Sequence, residues 1–202
     1  EISDVELGGI EWRSFSEEKC KEILKKPDID CHKYSSGKVL IIAGSQGMTG
    51  AAILSTNAAL RSGAGLTLTT NPSSLNHIYE TSIIEGITFS LPDEDEGFLK
   101  ISHYNYIMEK VEWADSVLIG PGLGRNKSTQ SLIKKLVESI DKPLILDADG
   151  LFPYAGALNE LSSKKTPLII TPHFGEFSRL INLEAKDIIS DFPRIMENTM
   201  KI

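Results

Sequence analysis

The chain has 202 residues and carries 21 lysines and arginines against 28 aspartates and glutamates, a formal net charge of −7. With 41% hydrophobic and 24% charged residues it suits one globular domain, and its acidity argues against nucleic acid or an anionic membrane as the main partner. No apolar run approaches the roughly 18 residues of a membrane span, no secretory signal opens the chain, and Cys20 and Cys31 lack metal-ligand spacing, so a reducing, cytoplasmic setting is expected.

Read in chain order, residues 1–30 form a polar lead-in, with a helix expected over Glu11 to Lys26 before Pro27. Lys38 to Ala43 is an apolar run of buried-strand length that ends in Gly44-Ser45-Gln46-Gly47-Met48-Thr49-Gly50. An Ala-rich helix follows over Ala51 to Arg61. Leu66 to Thr70 has strand composition, with Asn71-Pro72 as its break, and Ile87 to Leu91 is a weaker strand. Asp93-Glu94-Asp95-Glu96 reads as a solvated loop. The alternation then sharpens: a helix over Tyr104 to Ala114, a strand at Ser116 to Ile119, and a helix capped by Ser128 and running through Ile140. A strand at Pro143 to Leu146, a helix near Leu151 to Leu161, a strand at Pro167 to Ile170 and a helix carrying Phe177, Leu180 and Ile181 complete it.

Short apolar strands separated by helices predict an α/β domain of three layers, with a mostly parallel sheet covered on both faces. In such sheets ligands bind beyond the carboxyl ends of the strands. Four strand ends here concentrate glycine and polar residues: Gly44 to Gly50, Gly120 to Gly124, Asp147 to Gly150 and Thr171 to Glu176. Gly44, Gly47 and Gly50 entering a helix suit a backbone cradle for phosphate, or a tight turn with close helix packing, but match neither the dinucleotide fingerprint nor a P-loop. Gly120-Pro121-Gly122-Leu123-Gly124 allows the same two readings. If the strand persists, Asp147 and Asp149 face one side, as a water-mediated Mg²⁺ pair or with one as base; alternatively one of them caps the next helix. His173 stands where it can donate to a substrate oxygen, or be a satisfied structural histidine. Glu176 can orient it or complement a helix dipole. No histidine metal site is expected.

Six ordered motifs carry a resemblance. They are His32 to Leu40, Gly44-Ser45 with Thr49-Gly50-Ala51, Ala59 to Leu66, Gly120 to Gly124, Asp147-Ala148-Asp149-Gly150-Leu151, and Thr171-Pro172-His173-x-Gly175-Glu176-Phe177-x-Arg179-Leu180. Together they resemble the ADP/ATP-dependent NAD(P)H-hydrate dehydratase family of the ribokinase-like superfamily. The resemblance implies a metabolite-repair lyase. A nucleotide, ADP or ATP with Mg²⁺, phosphorylates the ring hydroxyl at C6 of hydrated NADH or NADPH, and loss of phosphate restores the double bond. It implies a hydrated-cofactor pocket lined by Ala51, Gly122, Gly124, Thr171, Pro172, His173, Phe174, Gly175 and Glu176, supported by Gly47, Gly50, Asp147 and Asp149. Phe174 departs from the proline frequent in the family. A homo-oligomer and a fused or separate NAD(P)H-hydrate epimerase are the partners implied.

The family's Lys-Gly segment and later Gly-Thr-Gly-Asp loop, which supplies the phosphoryl anion hole and the aspartate base, do not occur in these residues. With a first residue of Glu1, this predicts a fragment of one ribokinase-like domain spanning 1–202. It further predicts a bare sheet edge with an apolar face near the far end, and little turnover by this segment alone. A non-catalytic dinucleotide-binding module and a small-molecule kinase of the same superfamily are the alternatives.

Overall fold

The computed structural model describes residues 16–23 and 30–199. The elements in chain order are α1 (Glu17–Ile23), β1 (Lys38–Ile42), α2 (Thr49–Arg61), β2 (Leu66–Pro72), α3 (Asn76–Ser82), β3 (Ile87–Leu91), α4 (Tyr104–Trp113), β4 (Ser116–Ile119), α5 (Lys127–Ser139), β5 (Leu144–Leu146), α6 (Asn159–Ser162), β6 (Leu168–Ile170), α7 (Phe174–Ile181), α8 (Ala185–Ser190) and α9 (Phe192–Thr199). Of the helix expected over Glu11 to Lys26, only the α1 stretch lies within the described residues.

All six strands form one sheet of order β3-β2-β1-β4-β5-β6, and every pairing is parallel. The chain builds outward from β1 to β3, then returns across β1 to add β4, β5 and β6. Neighbouring crossovers therefore leave from β1 in opposite directions, which opens a crevice at the carboxyl ends of β1 and β4. Period-2 geometry sends alternate side chains to opposite faces. Leu40, Ile42, Val117, Ile119, Leu144 and Leu146 face the larger core, where Ile107 and Val111 of α4 and Leu132, Ile133, Leu136 and Val137 of α5 cover them. Ile41 faces the other way, with Ala52 of α2 and Tyr79 of α3.

That second face is covered unevenly. Ile41, Leu118, Ile145 and Ile169 lie in one row across β1, β4, β5 and β6. Their exposure climbs from 0% at Ile41 to 38% at Ile145 and 58% at Ile169. The expectation of a sheet covered on both faces thus holds at β1 and fails at β5 and β6, because α2 and α3 pack over β1, β2 and β3. Among the described residues β6 is hydrogen-bonded on one side only.

Other expectations are corrected locally. β2 runs through Asn71 and Pro72, paired with Ser90 and Leu91, because the fixed φ of proline is already compatible with extended backbone. Asn126, not Ser128, caps α5, its side chain accepting from the Ser128 N–H, while Ser128 Oγ accepts from the Ile101 N–H. The helix expected over Leu151 to Leu161 is reduced to a 3₁₀ turn at 152–154 and the short α6, with Pro153 and Gly156 as the interruptions. Asp93 is fully buried rather than solvated, although Glu94, Asp95 and Glu96 are exposed.

Burial pushes the Asp93 carboxyl up, but hydrogen bonds donated by Ser74, Gly97 and Ser73 outweigh it and hold the group at about 2 against an ordinary 3.8. A depressed carboxyl stabilises the fold above its unfolded value and loses that contribution as the pH falls through its folded value. Asp93 is therefore expected to add stability fully above pH 3.8 and to lose it towards pH 2; urea titrations across that window check this, with Asp93→Asn flattening the slope. On the bare face, Ile169→Thr is expected to change stability by less than about 0.5 kcal/mol. Ile119→Ala, beneath α5, should cost about 2–5 kcal/mol in the same titrations.

Candidate functional site

The loops after β1, β4, β5 and β6 lie side by side, because those four strands are consecutive in the sheet. Backbone bonds lace the first two together. The Gly44 N–H donates to the Pro121 carbonyl at 2.8 Å, and the Gly120 N–H donates to the Ile42 carbonyl at 3.0 Å. Ser45, 5% exposed, donates its hydroxyl to the Gly122 carbonyl at 2.8 Å. Gly120 adopts φ +133°, and a Cβ there would stand 1.7 Å from the Asp147 carbonyl oxygen, so the loop after β4 touches the loop after β5 with no room for a side chain. Behind the first loop the buried Tyr79 hydroxyl packs against Gly44 without a hydrogen-bond partner, and burial pushes it up to about 12.

The two aspartates do not face one side. β5 ends at Leu146, and Ala148 turns into the left-handed region at φ 50°, so the alternation that would align Asp147 with Asp149 is lost. Asp147 accepts from the Thr171 hydroxyl at 2.7 Å, tying the loop after β5 to the end of β6. Asp149 accepts from the Gly124 N–H at 2.9 Å and from Arg125 Nε at 3.4 Å, fixing the exit of the loop after β4. Gln130 of α5 holds the same loop by donating to the Gly124 carbonyl at 2.9 Å. Among the described residues no group of three or more His, Cys, Asp or Glu could hold a metal ion.

His173 and Glu176 form a reciprocal cap on α7. The Nδ1 atom of His173 accepts from the Gly175 N–H at 3.0 Å and the Glu176 N–H at 3.4 Å, while Glu176 Oε2 accepts from the His173 N–H at 2.9 Å. An accepting Nδ1 assigns the proton of the neutral ring to Nε2, which lies 3.3 Å from Glu176 Oε1. Glu176 therefore both orients the ring and occupies the first turn of the helix. Phe174 leans the other way, stacked on Phe192 of α9 at 6.2 Å, and with Pro172 it lines an apolar groove of about 670 Å³ along β6.

Three helices start at these strand ends, and their starts differ. Asn126 caps α5 and His173 caps α7, but Met48, at the start of α2, provides no side-chain cap. Of the first N–H groups of α2, that of Ala51 donates to the Met48 carbonyl at 3.2 Å, while those of Thr49 and Gly50 take no side-chain cap, so a ligand oxygen can take the place of a cap at Gly50. Gly122 closes on this same spot: a Cβ there would lie 2.8 Å from Ala51 Cβ. Ser45 stands in the second sequence motif with no role of its own, and Arg125 and Gln130 lie outside every motif. Arg125 directly follows the second glycine loop, which was the one available signal, and its guanidinium lies over the Phe152 ring at 4.6 Å.

The NAD(P)H-hydrate dehydratase family model matches residues 39–200. The Bifunctional NAD(P)H-hydrate repair enzyme Nnr of Salinibacter ruber is 38% identical over 159 residues, which make up 78% of this chain and 29% of that protein. Its counterpart in Dictyoglomus turgidum is 36% identical over 181 residues, 89% of this chain and 34% of that protein. Among solved structures, the ADP/ATP-dependent NAD(P)H-hydrate dehydratase from Bacillus subtilis, co-crystallized with ATP/Mg²⁺, aligns with a TM-score of 0.65 and 26% identity over 87% of this chain and 58% of that one. A ribokinase-like superfamily protein from Enterococcus faecalis aligns with a TM-score of 0.66 and 26% identity, covering 81% of this chain and 54% of that one. The fold is ribokinase-like, and the chain spans about a third of the length of the curated relatives it matches.

Gly120→Ala is expected to cost about 3 kcal/mol or more, through left-handed strain and overlap with the Asp147 carbonyl. Asp149→Ala, which leaves the half-buried Gly124 N–H without its acceptor, should cost about 1–3 kcal/mol. Denaturant unfolding of each variant reads both values.

Proposed function

This chain belongs to the NAD(P)H-hydrate dehydratase family, and on that footing we propose that it supplies the hydrated-cofactor side of a nucleotide-dependent lyase that returns damaged NADH or NADPH to use. The observation that carries the reading is the uncapped start of α2, set against the Gly120–Gly124 loop within the matched residues. A dinucleotide is anionic, extended and rich in acceptors. The crevice meets it with backbone N–H groups, glycines that permit close approach, and an acidic perimeter whose carboxylates are already engaged.

In this reading the phosphates or ribose oxygens of the hydrated cofactor rest at Gly47, Gly50 and Ala51. Gly122 and Gly124 form the opposing wall. Thr171 to Glu176 closes the far side, with Asp147 holding Thr171 and Asp149 holding Gly124 in place. When bound, ADP or ATP with Mg²⁺ supplies the phosphoryl group that turns the C6 hydroxyl into a leaving group. The residues of this segment bind and orient the ring and keep its hydroxyl at a fixed place, which is how positioning lowers a phosphoryl-transfer barrier.

The Lys-Gly and Gly-Thr-Gly-Asp segments that the resemblance ties to the phosphoryl anion hole and the aspartate base do not occur in these 202 residues. The curated relatives are named bifunctional, which supports an epimerase as a fused or separate partner. Free thiols at Cys20 and Cys31 suit a reducing, cytoplasmic setting, and the bare face at β5 and β6 suits a homo-oligomer or further chain.

The test is recovery of nicotinamide absorbance from hydrated NADH with Mg²⁺ and either ADP or ATP, alongside calorimetric binding of the hydrated cofactor. The 202-residue chain should bind the hydrate but turn it over poorly, and a version extended with the Lys-Gly and Gly-Thr-Gly-Asp segments should restore turnover. Failure of the short chain to bind, together with failure of the extended one to turn over, overturns the proposal.

A further inference from the structure

We infer that Asp93 is a positioning residue for the ligand-facing loop after β1, acting on it through Gly97 and Gln46. The inference rests on the assignment of that loop to the hydrated-cofactor site. Asp93 lies after β3, two strands away from the loop, and its side chain has no exposed surface. One oxygen accepts from Ser73 Oγ at 2.8 Å and the Ser74 N–H at 2.9 Å; the other accepts from Ser74 Oγ at 2.6 Å and the Gly97 N–H at 2.7 Å. One carboxylate thus ties the turn after β2 to the loop after β3.

The link continues through Gly97. While Asp93 holds the N–H of Gly97, the carbonyl of Gly97 accepts the Gln46 N–H at 2.7 Å, so the glycine loop hangs from the same residue. The junction has no slack. Gly97 adopts φ +73°, and a Cβ there would lie 2.7 Å from Gln46 Cβ. Next to Gln46, Ser45 reaches the Gly122 carbonyl, which connects the anchor to both walls of the crevice.

The backbone between Asp93 and Gly97 shows that this anchor is held against strain. Glu94 and Asp95 are consecutive residues with φ 56° and 62° in a turn closed by the Glu96 N–H donating to the Asp93 carbonyl at 3.1 Å; the left-handed conformation costs Glu94 about 1–2 kcal/mol, whereas aspartate adopts it more readily. Such strain persists only where surrounding bonds over-determine it, and it concentrates at ligand clamps. With its pKa held near 2, the carboxylate is ionised at neutral pH, and bonds donated to a full charge are stronger than neutral ones.

The test compares the 202-residue chain with Asp93→Asn, Gly97→Ala and Leu136→Ala. Leu136, buried on α5, serves as a control that destabilises without touching the anchor. Two quantities are read: hydrogen exchange at the Gln46 amide, and calorimetric binding of hydrated NADH. Asp93→Asn and Gly97→Ala should each speed Gln46 exchange and weaken binding by about tenfold, since an unheld loop must be ordered by the ligand. Leu136→Ala should lower the melting temperature at least as far while leaving binding within about twofold. If Asp93→Asn fails to fold, Ser74→Ala, which removes one hydroxyl donor to the carboxylate and leaves Gly97 and Gln46 untouched, carries the test with the same two readouts. Retained Gln46 protection and affinity in the anchor variants, or an equal loss of binding in Leu136→Ala, overturns the inference. If the parent chain itself does not bind hydrated NADH, the cofactor reading fails, and Gln46 exchange alone decides whether Asp93 holds the loop.

Discussion

At the carboxyl ends of β1 and β4, two backbone hydrogen bonds and one glycine bring three loops within contact distance. The Gly44 N–H meets the Pro121 carbonyl, the Gly120 N–H meets the Ile42 carbonyl, and Gly120 presses against the Asp147 carbonyl where no side chain fits. This closeness follows from topology. β1 and β4 are parallel neighbours whose onward connections diverge, so their exits must be knitted by backbone rather than by helix packing. The start of α2, which has no side-chain cap, and the wall of Gly122 and Gly124 lie on either side of that seam.

The acidic residues nearest the crevice are fasteners. Asp93, Asp147, Asp149 and Glu176 each accept hydrogen bonds from backbone N–H groups or hydroxyls, and each joins segments that have no covalent reason to be near one another, or closes a helix start. A carboxylate suits this work because it accepts several bonds at once and each is strengthened by charge. That role also turns these carboxylates towards the protein framework, where each is engaged by a donor from a neighbouring segment.

The covering of the sheet is lopsided in a way that bears on function. Towards α4 and α5 the face is a packed core, whereas the row from Ile41 to Ile169 becomes progressively exposed. The strands on the bare side, β5 and β6, are also those that carry Asp147 and Thr171 at their ends. Apolar surface of this kind gains free energy when covered, so whatever covers it would lie close to the far wall of the crevice.

Much of this was legible from the residues. Apolar runs of strand length and helical spacing between them predict an α/β parallel sheet, with glycine and polar residues gathered at four strand ends, because these signals are local and periodic. The order of the motifs carried the family resemblance. What tertiary structure alone decided was partnership. Asp147 and Asp149 look like a pair at a spacing of two, and a left-handed Ala148 sends them to Thr171 and Gly124 instead. Asp93 sits in an acidic run that reads as solvated, yet it is buried because donors from Ser73, Ser74 and Gly97 converge on it from two separate loops. Ser128 looks like a cap, but Asn126 takes that place while Ser128 serves Ile101. Sequence determines which groups can bond; which of them meet depends on strand order and loop conformation, and these are set only when the whole chain packs.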